Sequence, residues 1–289
     1  MLNPQIVITV PLVITLIGPV SADAPRGRTV VSIRGEQFFI NGRPTYEGRA
    51  WNGSRIEGLL LNSRMVQGIF DDLNPETVAN WAYPDTGRWD PERNTREFLA
   101  AMPEWRRHGL LCVVVNLQGG SPRGYSREQP WHNSAFEADG SLRPAYLDRL
   151  GRIIDRADEL GMVVVLGVFH SGQDEHLQSE EAVKLALDNV AFWLMEEGYR
   201  NVLLVVASEG GDRFHHDILK SDRVHELIER AQAHHRGDRR LVVGTGCAAA
   251  PGEDVLRRPD FLLLHGKPRL PADWKKPQLR VGALSLRGR

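Results

Sequence analysis

Short apolar runs alternate with amphipathic segments along most of the chain. The apolar runs are mostly continuous rather than alternating, which is typical of β-strands that are buried on both faces. Six such runs predict strands, at Arg64–Phe70, Leu110–Leu117, Met162–Phe169, Val202–Ala207, Leu241–Thr245 and Phe261–Leu264. This pattern predicts a sheet that is covered on both sides.

The segments between these runs have the apolar spacing of helices that bury one face. They are Arg96–His108, Ala145–Leu160, a segment capped by Ser179 that runs to Glu197, and a segment capped by Ser221 that ends near Gly237. Strands that alternate with helices in this way predict a parallel sheet of the α/β class.

Two architectures fit this alternation, a doubly wound open sheet and a (β/α)8 TIM barrel. The chain lacks the glycine-rich phosphate-binding motifs that often mark the first. A barrel needs about 250 residues and carries its chemistry at the carboxyl ends of its strands. Polar residues concentrate at the predicted strand ends, namely Asp71, Asp72, Asn116, Gln118, His170, Ser208, Glu209 and His265. They favour the barrel.

The N-terminal region divides into two parts. Residues 1–22 contain the apolar run Ile6–Gly18 and end in Val20-Ser21-Ala22, so they predict a secretory signal that is cleaved before Asp23. A buried strand or core helix is the alternative. Residues 23–48 predict a short β entry segment, with a hairpin turn at Asn41-Gly42. The mature protein would be secreted or periplasmic, with no membrane contact after cleavage.

Charge and cysteine content narrow the partners. Lys+Arg is 36 and Asp+Glu is 37, so the net charge of −1 gives no reason to expect nucleic acid as a partner. Two cysteines cannot build a disulfide framework. We expect two separate thiols, with Cys112 buried and inert and Cys247 after another strand. The sequence does not indicate an oligomeric state.

Two long loops contain aromatic residues. Residues 71–94 include Trp81, Tyr83 and Trp89, and residues 117–144 include Tyr125, Trp131 and Phe136. Long loops of this kind are usually functional, and several aromatics over one face can form platforms for sugar rings. The alternative is that each ring only packs its loop onto the barrel.

Glu209 is the first candidate for chemistry. It ends the buried strand Val202–Ser208 and precedes Gly210-Gly211. A carboxylic acid that is half screened from water has a raised pKa and can donate a proton at neutral pH. The alternative is a carboxylate that caps the next helix.

Three of these segments resemble the cellulase-type glycoside hydrolases of clan A, which include family 5. Phe38–Pro44 is similar to the strand before their barrel, Ala207-Ser208-Glu209 to the Asn-Glu that closes their fourth strand, and His170 to a histidine beside the −1 sugar site. The resemblance covers roughly residues 29–266. It implies a TIM barrel that hydrolyses β-linked polysaccharides or oligosaccharides with retention, without cofactor or metal.

The resemblance also implies roles for single residues. Glu209 would be the general acid/base, and Ser208 stands where the family has an asparagine that bonds the sugar 2-hydroxyl. The other candidates for substrate binding are His170, Asn116, Trp131, Asp71 and His265.

The C-terminal part departs from that pattern. A retaining glycosidase needs a second carboxylate about 5–5.5 Å from the first, which this clan takes from strand seven. The 25 residues after Leu264 contain one acidic residue, Asp273, and a possible seventh strand at 279–286 carries none. We therefore expect a barrel domain at 49–266, an atypical tail at 267–289 and no nucleophile. Without strands seven and eight, the barrel would stay open, with the edges of strands one and six unpaired or covered only by the tail.

Three hypotheses follow. The first is a secreted retaining glycoside hydrolase that acts on O-glycosidic bonds through Glu209. The second is a catalytically inactive, truncated barrel that binds carbohydrate. The third, a metal-dependent hydrolase, depends on a set of histidines and one aspartate that does not fit the H-E-x-x-H pattern. That set is His170, His176, His215, His216 and Asp217.

Overall fold

A computed structural model describes residues 27–124, 128–208, 213–247, 253–265 and 275–281. The helices are α1 (Pro91–Arg107), α2 (Pro144–Glu159), α3 (Glu180–Glu196), α4 (Val224–Gln232) and α5 (Glu253–Arg257). The strands are β1 (Val31–Arg34), β2 (Gln37–Ile40), β3 (Arg43–Pro44), β4 (Ala50–Trp51), β5 (Ser54–Arg55), β6 (Asn62–Arg64), β7 (Cys112–Asn116), β8 (Val163–Phe169), β9 (Val202–Ala207), β10 (His235–Arg236), β11 (Arg239–Arg240), β12 (Val242–Cys247), β13 (Phe261–His265) and β14 (Gln278–Val281).

Seven parallel strands form the central sheet. Their order is β6-β7-β8-β9-β12-β13-β14, which is also their order along the chain. The sheet curls until Cα atoms of β6 and β14 lie within 8 Å of each other. Within the described residues, the fold is therefore a nearly closed parallel barrel of seven strands, which confirms the incomplete TIM barrel expected from the sequence.

The tail supplies the seventh strand. β14 pairs in parallel with β13 from Leu262↔Gln278 to His265↔Val281. The tail therefore covers the edge of β13, the sixth barrel strand, which is one of the two outcomes expected from the sequence. Among the described residues, β6 and β14 are the two edges of the sheet and do not pair with each other, so the barrel is nearly closed but not sealed. An inserted strand would separate its neighbours by about 9–10 Å, and parts of β6 and β14 are closer than that.

The continuous apolar strands are buried on both faces, as predicted. In β8, Val163 and Val165 belong to the cluster inside the barrel, whereas Val164 and Leu166 pack in the larger cluster with the helices. Cys112 also lies inside the barrel, where complete burial raises the pKa of its thiol well above the usual range. Cys112 and Cys247 are both buried, and they are two separate thiols, as expected.

The N-terminal sheet covers the amino ends of the barrel strands. Asn41 and Gly42 have φ of 52° and 77°, and they form the predicted two-residue turn, here between β2 and β3. Phe38 of β2 is buried edge-to-face against Phe261, with ring centroids 6.3 Å apart. The Asp158 carboxylate accepts the Thr29 backbone N–H at 2.7 Å and so ties this region to α2.

Three predicted boundaries differ from the structure. The first barrel strand is 62–64 instead of 64–70, because the apolar residues that follow it form a 3-10 helix at Val66–Gly68. α1 begins at Pro91, where the Asp90 carboxylate accepts the Arg93 N–H at 2.9 Å. α4 begins at Val224 without a side-chain cap, so the cap predicted at Ser221 was wrong.

The cap predicted at Ser179 is confirmed, since its hydroxyl accepts the Ala182 N–H at 3.2 Å. Within the described ranges, none of the helices combines the length and the apolar character needed to cross a membrane. Residues 1–22 lie outside the described residues, as do 266–274 and 282–289, so the signal peptide and the domain limits remain predictions.

Candidate active site

Four of the predicted site residues lie at the carboxyl ends of barrel strands. Asn116 ends β7, His170 follows β8, Ser208 follows β9, and His265 ends β13. Since all seven strands are parallel, these positions share one end of the barrel. Glu209, the predicted acid/base, directly follows Ser208 but lies outside the described residues.

Asn116 and Ser208 meet across the intervening strand. The Ser208 hydroxyl donates to Asn116 Oδ1 at 3.5 Å, and both side chains are buried. Gly167 of β8 lies between them. A Cβ atom there would be 2.2 Å from Ser208 Oγ and 2.4 Å from Asn116 Oδ1. The absence of a side chain at 167 therefore creates the hollow that holds this polar pair.

The ring of His170 is oriented by its own loop. Nδ1 lies 2.7 Å from the Ser171 carbonyl oxygen and 3.2 Å from Gln129 Nε2. A carbonyl oxygen can only accept, so the shorter contact assigns the proton to Nδ1. The ring is almost fully buried, which makes its orientation a fixed feature of the site.

A buried polar layer joins the loops after β7 and β8. Gln173 Oε1 accepts the Asn133 N–H at 2.9 Å, and Gln173 Nε2 donates to the Trp131 carbonyl at 2.8 Å. Asn133 Nδ2 donates to the Gly119 carbonyl at 2.7 Å. Sequence reasoning missed Asn133 and Gln173, because polar residues in long loops look like solvated ones until their buried partners are known.

Asp71 belongs to a separate ion-pair network. Its Oδ2 accepts from Arg149 Nη2 of α2 at 2.8 Å and from Arg143 Nη2 at 3.4 Å. Arg149 is buried, so the pair is screened from water. The described contacts of the Asp71 carboxylate are therefore with arginines at and before α2, and they favour a packing role over the predicted substrate contact.

Asp72 organises the aromatic loops. Its carboxylate accepts from Thr77 Oγ1 at 2.7 Å and Trp81 Nε1 at 2.8 Å within its own loop. It also accepts the His132 N–H of the other long loop at 3.0 Å. The sequence named Asp72 only as a polar strand end. Its role in joining two loops depends on a partner 60 residues away.

The aromatic rings of the two loops pack on each other. Trp131 is only 7% exposed and lies edge-to-face against Trp81, with centroids 5.2 Å apart. This burial favours the packing alternative for Trp131. Tyr83 and Trp89 are half-buried and stack in parallel at 5.5 Å. Phe136 is buried in the core, and Tyr125 lies outside the described residues.

The histidines of the metal hypothesis do not converge in the described part of the chain. In those residues, no three side chains of His, Cys, Asp or Glu are grouped to hold a metal ion. His176 stacks on His132 with centroids 3.7 Å apart. His216 Nε2 lies 2.9 Å from the Leu177 carbonyl oxygen. Asp217 pairs with Lys220 at the surface.

Comparison with known proteins gives a fold. No protein-family model matches the chain, and no curated protein matches it in sequence. The β-mannanase of the blue mussel Mytilus edulis superposes with a TM-score of 0.50 at 9% identity, over 83% of this chain and 74% of that one. The fold that the two chains share is a parallel (β/α) barrel, which has seven strands in the described residues of this chain.

Family 5 glycoside hydrolases are also among the similar structures. One from Prevotella bryantii has a TM-score of 0.47 at 15% identity, over 71% of this chain and 63% of that one. One from Bacteroides vulgatus has a TM-score of 0.47 at 14% identity, over 84% and 45%. The chain therefore spans less than two thirds of either enzyme, and the likeness concerns the fold alone.

Proposed function

We propose that the protein is a glycoside hydrolase-like barrel that acts on O-glycosidic bonds of a β-linked polysaccharide or oligosaccharide. The observation that carries the proposal is the set of buried polar side chains Asn116, His170 and Ser208 at the carboxyl ends of three adjacent strands. Enzymes with TIM barrels keep their chemistry at that end. Glu209, which directly follows Ser208, is the proposed general acid/base of a retaining-type mechanism.

Each polar side chain has a chemical part in this proposal. Asn116 and Ser208 hydrogen-bond sugar hydroxyls together, because the hollow over Gly167 brings their oxygens to 3.5 Å. His170 Nε2 accepts a hydrogen bond from a sugar hydroxyl, while the Nδ1–H group of the same ring donates to the Ser171 carbonyl oxygen. Glu209 donates its proton to the departing glycosidic oxygen. Mannan and xyloglucan are the first substrates to test, because similar structures include β-mannanases and a complex with a xyloglucan oligosaccharide.

The second carboxylate of the mechanism has no counterpart on the seventh strand. That strand is β14, and its sequence Gln278-Leu279-Arg280-Val281 contains no acid. Without a nucleophile about 5–5.5 Å from the acid, no covalent glycosyl intermediate forms. We therefore expect hydrolysis to be slow or absent although the leaving group can be protonated.

The same observation favours a second candidate, a carbohydrate-binding barrel without catalysis. In this candidate the polar pair Asn116 and Ser208, together with His170, would bind a glycan without cleaving it. Both candidates bind the same class of ligand, a glycan. They differ in whether the glycosidic bond is cleaved.

Calorimetric binding and reducing-end release on mannan, xyloglucan, xylan and β-glucan separate these candidates. Slow release that Glu209→Gln abolishes, with binding retained, supports the hydrolase. Binding without any release supports the binding barrel. Failure to bind any of these glycans contradicts both. Export of the protein, proposed from residues 1–22, is tested separately below.

A further inference from the structure

A cavity of about 520 Å³ lies at the amino ends of β9 and β12, at the opposite end of the barrel from the candidate active site. Of the described residues that line it, one is acidic, Asp238, and four are basic, namely Arg200, Arg236, Arg239 and Arg240. The whole chain has a net charge of −1, so this positive charge is a local feature. The proposed glycan chemistry does not use it.

The β10–β11 hairpin places two of these arginines side by side. Arg236 and Arg239 are directly opposite each other across the turn at Gly237-Asp238. The side chains of residues paired in this way extend from the same face of a hairpin, and like charges in such a pair destabilise it. The hairpin therefore keeps two positive charges together against their mutual repulsion.

Arg200 adds a third positive charge from the segment between α3 and β9. Burial lowers the pKa of Arg239, and the positive charges of Arg200 and Arg236 lower it further. The three guanidinium groups are therefore close enough to repel one another. Within the described residues, neither the Arg200 guanidinium nor the Asp238 carboxylate forms a hydrogen bond or an ion pair. The charge of this cluster is thus not balanced by the acid beside it.

The two hairpin arginines also contact the end of α3. Arg236 Nη1 donates to the carbonyl oxygens of Met195 at 2.9 Å and of Glu196 at 3.0 Å. Arg239 Nη2 donates to the Tyr199 carbonyl oxygen. Such contacts are favourable at a helix C-terminus, and they hold both guanidinium groups in place. They use one nitrogen of each group, so they do not explain why three positive charges meet at this cavity.

A multiply charged oxyanion would remove the repulsion, because guanidinium groups donate parallel N–H groups that match its oxygens. We propose that Arg200, Arg236 and Arg239 form a binding site for a phosphate or sulfate group, either as the free ion or as an ester on a larger ligand. Arg240 is not part of it, since its guanidinium is paired with both oxygens of Asp260, at 2.6 and 2.7 Å. The site does not depend on the proposed glycan chemistry at the other end of the barrel.

Calorimetric titration with inorganic phosphate and with sulfate, at an ionic strength held constant with chloride, measures this binding. Arg200→Gln removes the exposed charge, and Arg239→Gln removes the half-buried one. Arg96→Gln is the matched control, because Arg96 is exposed on α1 and forms no ion pair with the described residues. We expect the affinity for phosphate to fall about tenfold or more in each cavity variant and to stay unchanged in Arg96→Gln.

Thermal unfolding distinguishes a binding role from a purely structural one. Without phosphate, Arg200→Gln should melt at or above the temperature of the wild type, because one of the repelling charges is gone. Phosphate should raise the melting temperature of the wild type, since a ligand of the folded state stabilises it, and should raise that of Arg200→Gln much less. A wild type that does not respond to phosphate, or an equal response of both proteins, would contradict the proposal.

A sulfated oligosaccharide and its unsulfated parent distinguish the two sources of the anion. Binding that depends on Arg200 and is tighter for the sulfated sugar than for sulfate indicates an ester, and binding that is no tighter indicates the free ion. Three results would overturn the proposal. They are the absence of binding to phosphate and to sulfate, an unchanged affinity in both cavity variants, and an equal loss in Arg96→Gln, which would indicate unspecific attraction to positive charge.

Discussion

Replacement of Gly167 by alanine tests the hollow at the centre of the site. The new Cβ atom would lie 2.2 Å from Ser208 Oγ and 2.4 Å from Asn116 Oδ1, far inside contact distance. Overfilling a packed interior costs about 1–3 kcal/mol. For a domain of this size that corresponds to a melting temperature about 2–10 °C lower. The same displacement should move both polar side chains and weaken oligosaccharide binding.

A double-mutant cycle attributes the effect to the named contact. Ser208→Ala removes the hydroxyl that is nearest to the new methyl group and by itself loses only a long hydrogen bond of 3.5 Å. Gly167→Ala should therefore cost less in the Ser208→Ala background, by about 1 kcal/mol, as expected for residues in contact. Urea unfolding of the four proteins measures this coupling. Additive free energies, or a neutral Gly167→Ala, would refute the description of the hollow.

Three further outcomes are expected. N-terminal sequencing of exported protein should begin at Asp23, and soluble protein that retains Met1 would contradict cleavage. Trp131→Ala should lower the free energy of unfolding by about 3–5 kcal/mol, the usual cost of deleting a buried tryptophan. Thermal unfolding and glycan binding are measured on the same variant: lost stability indicates packing, and weaker binding by a stable protein indicates a glycan contact. Burial and the adjacent His176 lower the pKa of His132 to about 4. Since the unfolded chain binds more protons between this value and the ordinary 6.5, stability should fall as pH drops from 6.5 toward 4, and His132→Gln should reduce that loss in melts across this range.

The barrel strands were readable from the sequence where burial on both faces demands unbroken apolar runs. β7, β8 and β9 follow this rule, and the polar residues at their ends, Asn116, His170 and Ser208, were named for that reason. The first barrel strand was misplaced because its residues Asn62-Ser63-Arg64 are polar. Only pairing with β7 defines it.

The roles of loop residues could not be read from local pattern. Asp71 and Asp72 are adjacent acids, yet one pairs with Arg149 on α2 and the other joins two loops through Trp81 and His132. The close approach of β6 and β14 also escaped prediction, since it depends on how far the whole sheet curls and not on any one segment.

The most direct test of the proposed function supplies from solution the nucleophile that β14 does not provide. With azide present, the nitrogen would attack the anomeric carbon of an aryl β-glycoside as the bond to the aryl oxygen breaks. The product would be an α-glycosyl azide. Phenyl glycosides need the proton of Glu209 for this step, whereas dinitrophenyl glycosides, whose phenolate leaves unaided, do not.

We expect azide to accelerate cleavage of both substrates by the wild type. We expect Glu209→Gln to abolish the acceleration for the phenyl glycoside and to leave that for the dinitrophenyl glycoside unchanged. Rapid hydrolysis without azide would mean that another carboxylate serves as the nucleophile. Two results for Glu209→Gln would contradict the role of Glu209 as the acid. In one, the acceleration by azide is lost equally for both substrates; in the other, it is lost for neither.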